Sequence, residues 1–276
     1  MRLRSLLYVP AHSERFIARA HERGADAIIL DLEDAVPEAD KTAARDNLPA
    51  TIASVTRNGA AAFVRINAGA RLRDDAISAT RAGAYGLFIP KARNPDALEA
   101  LAGALRPEET KLGRAATPFV AMIEDPAAML DARALARVQR VMALSFGAED
   151  FTAITGGTPT PDVLRHPKLA VHYAAKAEGK LSFGLLQSIA DYSNLEALAA
   201  AAREAKAHGF DGATCIHPSG VPVLNDGFAP TDAERDWATR VLDAAKAGDA
   251  AFTLDGRMVD APVLARARRI LTVNIR

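Results

Sequence analysis

Short apolar runs recur along the chain and alternate with longer stretches in which apolar residues return every three or four positions. The runs cover residues 5–9, 27–32, 62–66, 86–89, 118–123, 141–146, 181–186 and 212–216. Their length and their bounding turn residues predict buried strands. The stretches 15–23, 39–58, 71–82, 95–105, 167–178 and 194–208 carry helical spacing. Strands that alternate with helices predict βα units and a parallel sheet. Eight such runs predict closure into a (β/α)8 TIM barrel, and no G-x-G-x-x-G follows the first run to favour an open dinucleotide-binding sheet. The barrel is expected to span residues 1–228. Residues 229–276 are expected to form a helical extension that packs on the barrel or on a neighbouring subunit. Within it, residues 231–248 predict a helix with Thr231 as N-cap and Glu234 completing a capping box. A connection over 252–257 and a last helix over about 261–271 follow.

Composition narrows the partners. The 34 basic and 34 acidic residues cancel, so the chain has no electrostatic footprint for nucleic acid or an anionic membrane. No apolar stretch reaches the ~18 residues of a membrane helix. Cys215 is the single cysteine, which excludes an internal disulfide and suits a reducing cytoplasm. Residues 2–10 begin like a signal peptide, but the apolar run is short and Pro10 and His12-Ser13-Glu14-Arg15 follow at once. No signal peptide is expected.

The chemistry concentrates where the apolar runs end. These ends carry Asp31-Leu32-Glu33-Asp34, Arg65-Ile66-Asn67, Pro90-Lys91, Glu124-Asp125, Gly147-Ala148-Glu149-Asp150 and His217-Pro218. In a parallel barrel such ends meet at one mouth, where active sites form. A ring of carboxylates there would be costly without partners. Glu124 and Asp150, with no His or Cys near them, suit a hard cation such as Mg²⁺, or Mn²⁺ in its place; each could instead cap the helix after its strand. Arg65 offers a planar fork for a carboxylate or a developing enolate oxygen, or a salt bridge to Glu33 or Asp34. Lys41 and Arg45 share one helix face at i and i+4. With Arg15 they could seat the phosphates of a nucleotide-like handle, or form a solvated basic face. His217 at the last strand end reads as a turn-stabilising group.

The same residues carry a family resemblance. Arg4-Ser5-Leu6-Leu7-Tyr8-Val9-Pro10, Asp31-Leu32-Glu33-Asp34-Ala35-Val36, Val64-Arg65-Ile66-Asn67, Ile89-Pro90-Lys91, Met122-Ile123-Glu124, Phe146-Gly147-Ala148-Glu149-Asp150, Ile216-His217-Pro218 and Gly256-Arg257-Met258-Val259-Asp260-Ala261-Pro262 resemble the citrate lyase β-subunit-like branch of the HpcH/HpaI aldolase superfamily. That resemblance implies a carbon–carbon lyase acting on a small 3-hydroxyacyl-CoA of the citramalyl-CoA, malyl-CoA or citryl-CoA type. It implies Mg²⁺ on Glu124 and Asp150, with Glu33 and Asp34 supporting its water shell. Arg65, with Asn67 beside it, would hold the 2-keto acid, and backbone amides around Gly147 and Ala148 would orient the substrate carboxylate. CoA would lie along Arg15, Lys41 and Arg45. Asp260 would reach a neighbouring subunit's site as acid/base, implying a homo-oligomer, a trimer or a pair of trimers. The chain departs from the family pattern at Ala213, at Ser219-Gly220-Val221 and at Ser182-Phe183-Gly184-Leu185. Two further readings are an aldolase on a free hydroxy-keto acid and a barrel that binds a CoA metabolite without turnover.

Overall fold

The computed structural model describes residues 3–188, 193–247 and 251–272. Eight parallel strands run in chain order around one sheet: β1 (Ser5–Pro10), β2 (Ala27–Asp31), β3 (Ala61–Arg65), β4 (Gly86–Ile89), β5 (Phe119–Ile123), β6 (Val141–Phe146), β7 (Leu181–Phe183) and β8 (Ala213–Cys215). β1 pairs with both β2 and β8. The bridge between Phe183 and Gly212 joins the two ends of the sheet, so the barrel predicted by the eight runs closes.

Period-2 alternation sorts the strand residues into two layers. Leu6, Ile29, Phe63, Phe88, Val120, Met122 and Phe183 fill the barrel interior, with Tyr8 packed against them. Leu7, Val9, Leu30, Val64, Leu87, Ala121 and Leu144 face the surrounding helices. Inside, the rings of Phe63 and Phe88 meet edge to face at 5.5 Å, and Tyr8 meets Phe88 at 6.3 Å. Such aromatic pairs add stabilisation beyond the area they bury.

Helix starts follow local capping chemistry. The side chains of Asn94, Asp125 and Asn194 accept from the backbone N–H of Asp96, Ala128 and Ala197 at 2.8, 3.0 and 2.9 Å. The predicted helix over 39–58 is instead two helices, Lys41–Asp46 and Leu48–Val55. They break at Asn47, just before Pro49, whose ring supplies no N–H to continue the first helix. Conversely, helix Pro95–Leu112 runs through Pro107, past the predicted end at 105. Its last turn is held by Glu109, whose side chain is tied to Arg140 and to the Thr117 N–H. The helix expected to begin at Pro167 begins at Pro161, behind Thr160 as N-cap. Helices Pro126–Leu130, Ala132–Arg137, Ala148–Thr155 and Gly220–Phe228 were not among the predicted stretches.

The chain divides into two compact units, the barrel to Phe228 and a second unit from Ala229. The second unit begins with helix Asp232–Ala244, and its capping box between Thr231 and Glu234 is formed as predicted. Gly248, the predicted end of this helix, lies outside the described residues. The connection over 252–257 is in fact part of a hairpin of β9 (Phe252–Leu254) and β10 (Arg257–Val259). Asp255 and Gly256 turn it with φ of 52° and 72°. A two-residue turn with both central φ positive suits the right-handed twist of a hairpin, and Asp-Gly is a sequence that adopts it at little cost. Helix Ala261–Thr272 follows, and Val259, Ala238, Val241 and Ala267 form this unit's own small core. No helix among the described residues is long and apolar enough to cross a membrane.

Candidate functional site at the barrel mouth

Arg65 is the hub of the mouth. It ends β3 directly beside the end of β2, with Asp31 and Arg65 paired in register. Alternation points both inward. The guanidinium donates Nε to Asp31 Oδ1 at 2.7 Å and Nη2 to Asp31 Oδ2 at 2.6 Å, a bidentate fork. Its Nη1 lies 3.0 Å from both Glu33 Oε2 and Asp34 Oδ2, and the charge sits 5.2 Å from the centre of the Tyr8 ring. Burial opposes the Arg65 charge, but the Asp31 hydrogen bonds and the surrounding carboxylates outweigh it and raise its pKa. The predicted salt bridges to Glu33 and Asp34 therefore exist, and a stronger one to Asp31 stands beside them. Asp31 also accepts from the backbone N–H of Glu33 at 2.9 Å and of Ala35 at 3.1 Å. It anchors both the arginine and the loop that carries Glu33 and Asp34. Sequence reasoning singled out Asp31 only as part of a motif; its inward parity after Ala27 and Ile29 was the available signal.

Glu124 follows β5 and is 3% exposed. Its Oε2 accepts one hydrogen bond, from the Lys91 backbone N–H at 2.7 Å. Lys91 adopts a φ of 51°, uncommon for a non-glycine residue, in presenting that N–H. Burial pushes the Glu124 carboxyl up to about 7, the Lys91 bond works against the rise, and the charges of Glu33 and Asp150 add to it. Capping of the next helix falls to Asp125, which also takes Arg93 Nε at 2.6 Å. Glu124 is left for other work. Asp150 stands half-buried in the first turn of helix Ala148–Thr155. Gly147, the N-cap, supplies no side chain to that helix's first amides. Its own N–H donates to Ile123 O at 2.9 Å, so the amides open to a ligand begin at Ala148, a correction to the expectation for Gly147. A Cβ at Gly147 would lie 2.6 Å from Glu124 Cγ. Only glycine allows this close approach.

Glu33 is the other strained carboxylate. Its Oε1 is buried without a hydrogen-bond partner, with Lys91 Nζ 3.5 Å away. Burial raises its pKa; Arg65 and Lys91 oppose the rise and Asp34 and Asp31 reinforce it. Lys91 is shifted up in turn: burial works against its charge, and Glu33, Asp150, Glu124 and Asp34 outweigh it. Tyr8 lies within the same field, and burial raises its phenol pKa, opposed by Arg65 and helped by Asp31, Glu124 and Glu33. Asp31, Glu33, Asp34, Glu124 and Asp150 thus stand around Arg65 and Lys91, five carboxylates beside two cations. An orphaned buried oxygen on Glu33 and a glutamate with a single donor fit a hard divalent cation held by oxygen ligands. No group of three or more His, Cys, Asp or Glu side chains in metal-binding geometry occurs among the described residues. A cation here would complete its shell with water and substrate oxygens.

The remaining predicted residues lie elsewhere or are engaged. Lys41 Nζ donates to Leu32 O at 2.9 Å, Glu33 O at 2.6 Å and Asn67 Oδ1 at 2.6 Å. Its three protons are spent on the loops after β2 and β3, so it is a strut under the site and leaves no donor for a phosphate. Asn67 donates its side-chain amide and its backbone N–H to Asp75 Oδ2 at 2.7 and 3.0 Å. It braces the loop, in place of the substrate contact expected of it. Arg45 approaches Asp46 at 3.3 Å and Asp75 at 3.9 Å. Arg15 is exposed, 5.9 Å from the Phe16 ring. Asp260 belongs to the second unit, where it precedes the last helix and accepts from Val263 N at 3.4 Å. His217 Nδ1 pairs with Ser219 Oγ at 2.7 Å, the turn-holding role its position suggested. Lys168 was not anticipated. It is buried near the end of β7 and donates to Leu185 O at 2.9 Å and Gln187 O at 2.7 Å. Burial lowers its pKa to about 8.

Known proteins resemble this chain in sequence and in fold. Residues 4–218 match the HpcH/HpaI aldolase/citrate lyase family. A citrate lyase subunit beta-like protein from Deinococcus radiodurans is 33% identical, over 98% of this chain and 96% of its own. A (3S)-malyl-CoA thioesterase from Cereibacter sphaeroides is 32% identical, over 97% and 93%. Among solved structures, CitE from Mycobacterium tuberculosis, in complex with magnesium, acetoacetate and coenzyme A, superposes with a TM-score of 0.80 at 31% identity, covering 98% of this chain and 97% of that one. The chain belongs to the HpcH/HpaI aldolase/citrate lyase family, a family of lyases.

Proposed function

We propose that this protein is a Mg²⁺-dependent carbon–carbon lyase that cleaves a small 3-hydroxyacyl-CoA, of the citramalyl-CoA, malyl-CoA or citryl-CoA type, into an acyl-CoA and a 2-keto acid. The observation that carries this reading is the excess of buried carboxylate around Arg65, with Glu33 Oε1 unpartnered and Glu124 held by one donor. Glu124 and Asp150 would hold the cation. When bound, Mg²⁺ would supply Lewis acidity to the reacting substrate. Glu33 and Asp34 order water around it, and Glu33 Oε1 is the acceptor for the hydroxyl proton. The carbon–carbon bond then breaks: the hydroxyl carbon becomes the ketone of the 2-keto acid, and the bonding pair passes to the thioester as an enolate. Arg65 stabilises the developing charge with the hydrogen its carboxylates leave free. Asp260 returns a proton to the enolate carbon, contributed by a neighbouring copy in a homo-oligomer, a trimer or hexamer. Arg15 and Arg45 remain for the CoA phosphates.

The test is a panel of malyl-CoA, citramalyl-CoA, citryl-CoA and the free acids with purified protein and Mg²⁺, read by 2-keto acid release, with EDTA and Glu124→Ala as controls. Metal-dependent release from one thioester is expected. The thioesterase relative motivates a second reading, hydrolysis of the thioester. Release of free CoA thiol without 2-keto acid would replace the lyase reading with that one.

A further inference from the structure

We infer that the Tyr8 hydroxyl is a neutral hydrogen-bond donor to an oxygen of the bound 2-keto acid, making Tyr8 a specificity-determining residue of this mouth. The inference rests on the lyase reading of the site. It begins with strand parity. Leu6 and Tyr8 share the inward face of β1, as Phe63 and Arg65 share that of β3, so Tyr8 stands at the top of the interior stack. Its ring is fixed from two sides, by Phe88 at 6.3 Å and by the Arg65 guanidinium at 5.2 Å. Fixing the ring fixes the direction of the hydroxyl. Yet that hydroxyl has no hydrogen-bond partner among the described residues, and the residue is only half-buried. A packed phenol usually finds a partner for its O–H. The place of Tyr8 above Leu6 on β1 and beside Arg65 sets the hydroxyl at the mouth.

Counting donors shows what the hydroxyl can do. A 2-keto acid is an anion with three acceptor oxygens entering a site dominated by carboxylates. Arg65 has five N–H groups, of which four face Asp31, Glu33 and Asp34. The Lys91 N–H is committed to Glu124 and the Gly147 N–H to Ile123. What remains within the mouth is one Arg65 hydrogen, the Lys91 ammonium beside Glu33, the amides from Ala148 onward and the Tyr8 hydroxyl, the one uncharged side-chain donor among them. Phenylalanine would keep the packing and lose only this donor.

The experiment compares wild-type protein and Tyr8→Phe by isothermal titration with pyruvate, glyoxylate and oxaloacetate in the presence of Mg²⁺, alongside turnover. Removal of one such hydrogen bond is expected to weaken 2-keto acid binding roughly tenfold, the equivalent of about 1.4 kcal/mol. Mg²⁺ affinity and melting temperature should hold, and the loss should appear in substrate KM more than in Mg²⁺ dependence. Equal 2-keto acid affinity in the two proteins, or an equal loss of Mg²⁺ affinity, overturns the inference. Wild-type protein that binds Mg²⁺ but none of the three acids overturns the lyase reading itself, and the inference with it.

Discussion

Two buried glutamates stand at opposite ends of the same strand and titrate in opposite directions. Glu109, below the start of β5, takes a bidentate fork from Arg140, with Nη2 to Oε2 at 2.6 Å, and the Thr117 N–H at 2.7 Å. Burial alone would raise it, but Arg140 and Thr117 more than reverse the effect and hold its carboxyl below the usual range. Glu124, above the end of β5, has one backbone donor and is pushed up to about 7. The rest of each face follows suit. At the lower face Arg4 forks onto Asp26 at 2.8 Å, and Arg114 donates to the carbonyls of Thr80 and Ala84. At the mouth, carboxylates outnumber cations. Buried charge is tolerable when each group has its partners and costly otherwise. The lower face is satisfied by the protein alone; the mouth is left to be satisfied by something that binds.

The sharpest way to break this contrast is Arg140→Met. It strands Glu109 in the interior and should cost about 3–5 kcal/mol in urea unfolding, while turnover per folded molecule stays unchanged. A loss of turnover in the folded fraction would mean the lower face is not purely structural. Glu124→Gln should do the reverse. In EDTA at pH 8 it should stabilise the protein by on the order of 2 kcal/mol, because it removes a charge that folding disfavours, and it should abolish metal-dependent turnover. Added Mg²⁺ should then stabilise wild-type protein and leave the variant unmoved. A destabilised variant would contradict the idea that Glu124 lacks partners.

Lys168 tests an intermediate case, a buried cation satisfied by two carbonyls. Its pKa is depressed, so the folded state binds fewer protons than the unfolded one between about 8 and the ordinary lysine value. Stability from this group therefore rises with pH across that window. Relative to Lys168→Met, wild-type protein should gain about 1–2 kcal/mol in unfolding free energy from pH 8 to pH 10. A flat difference would show that the carbonyls fully compensate its burial. The smallest effect is expected at Glu33→Gln. Burial raises its carboxyl despite Arg65 and Lys91, so at pH 8 the neutral amide should be level with wild type or slightly more stable, with turnover reduced. Marked destabilisation would make its contacts to Arg65 structural.

Much of this arrangement was legible beforehand, for reasons that also set the limits. Eight apolar runs bounded by turn residues identify the strands, and the chemistry of parallel barrels then gathers Glu33, Asp34, Arg65, Glu124 and Asp150 at one end. Short helices such as Pro126–Leu130 span too few turns to show a period. The Asp-Gly turn at Asp255 and Gly256 was a legible hairpin signal read as a plain connection. Lys41 shows the deeper limit. Spacing says that Lys41 and Arg45 share a helix face, but not that the face is already filled by Leu32 O, Glu33 O and Asn67. Asp31 was hidden for the opposite reason: a charge inside a strand is read as its end, and only register shows that it faces Arg65.

The missing Cβ of Gly147 also bears on how this enzyme can be redesigned. Any side chain there would strike Glu124 Cγ within 2.6 Å, so no substitution at that position can reshape the pocket without dislodging the carboxylate beneath it. Gly184, by contrast, sees nothing nearer than the Phe210 ring at 3.6 Å. A library aimed at a new substrate has room for a side chain at Gly184, at the end of β7, and none at Gly147.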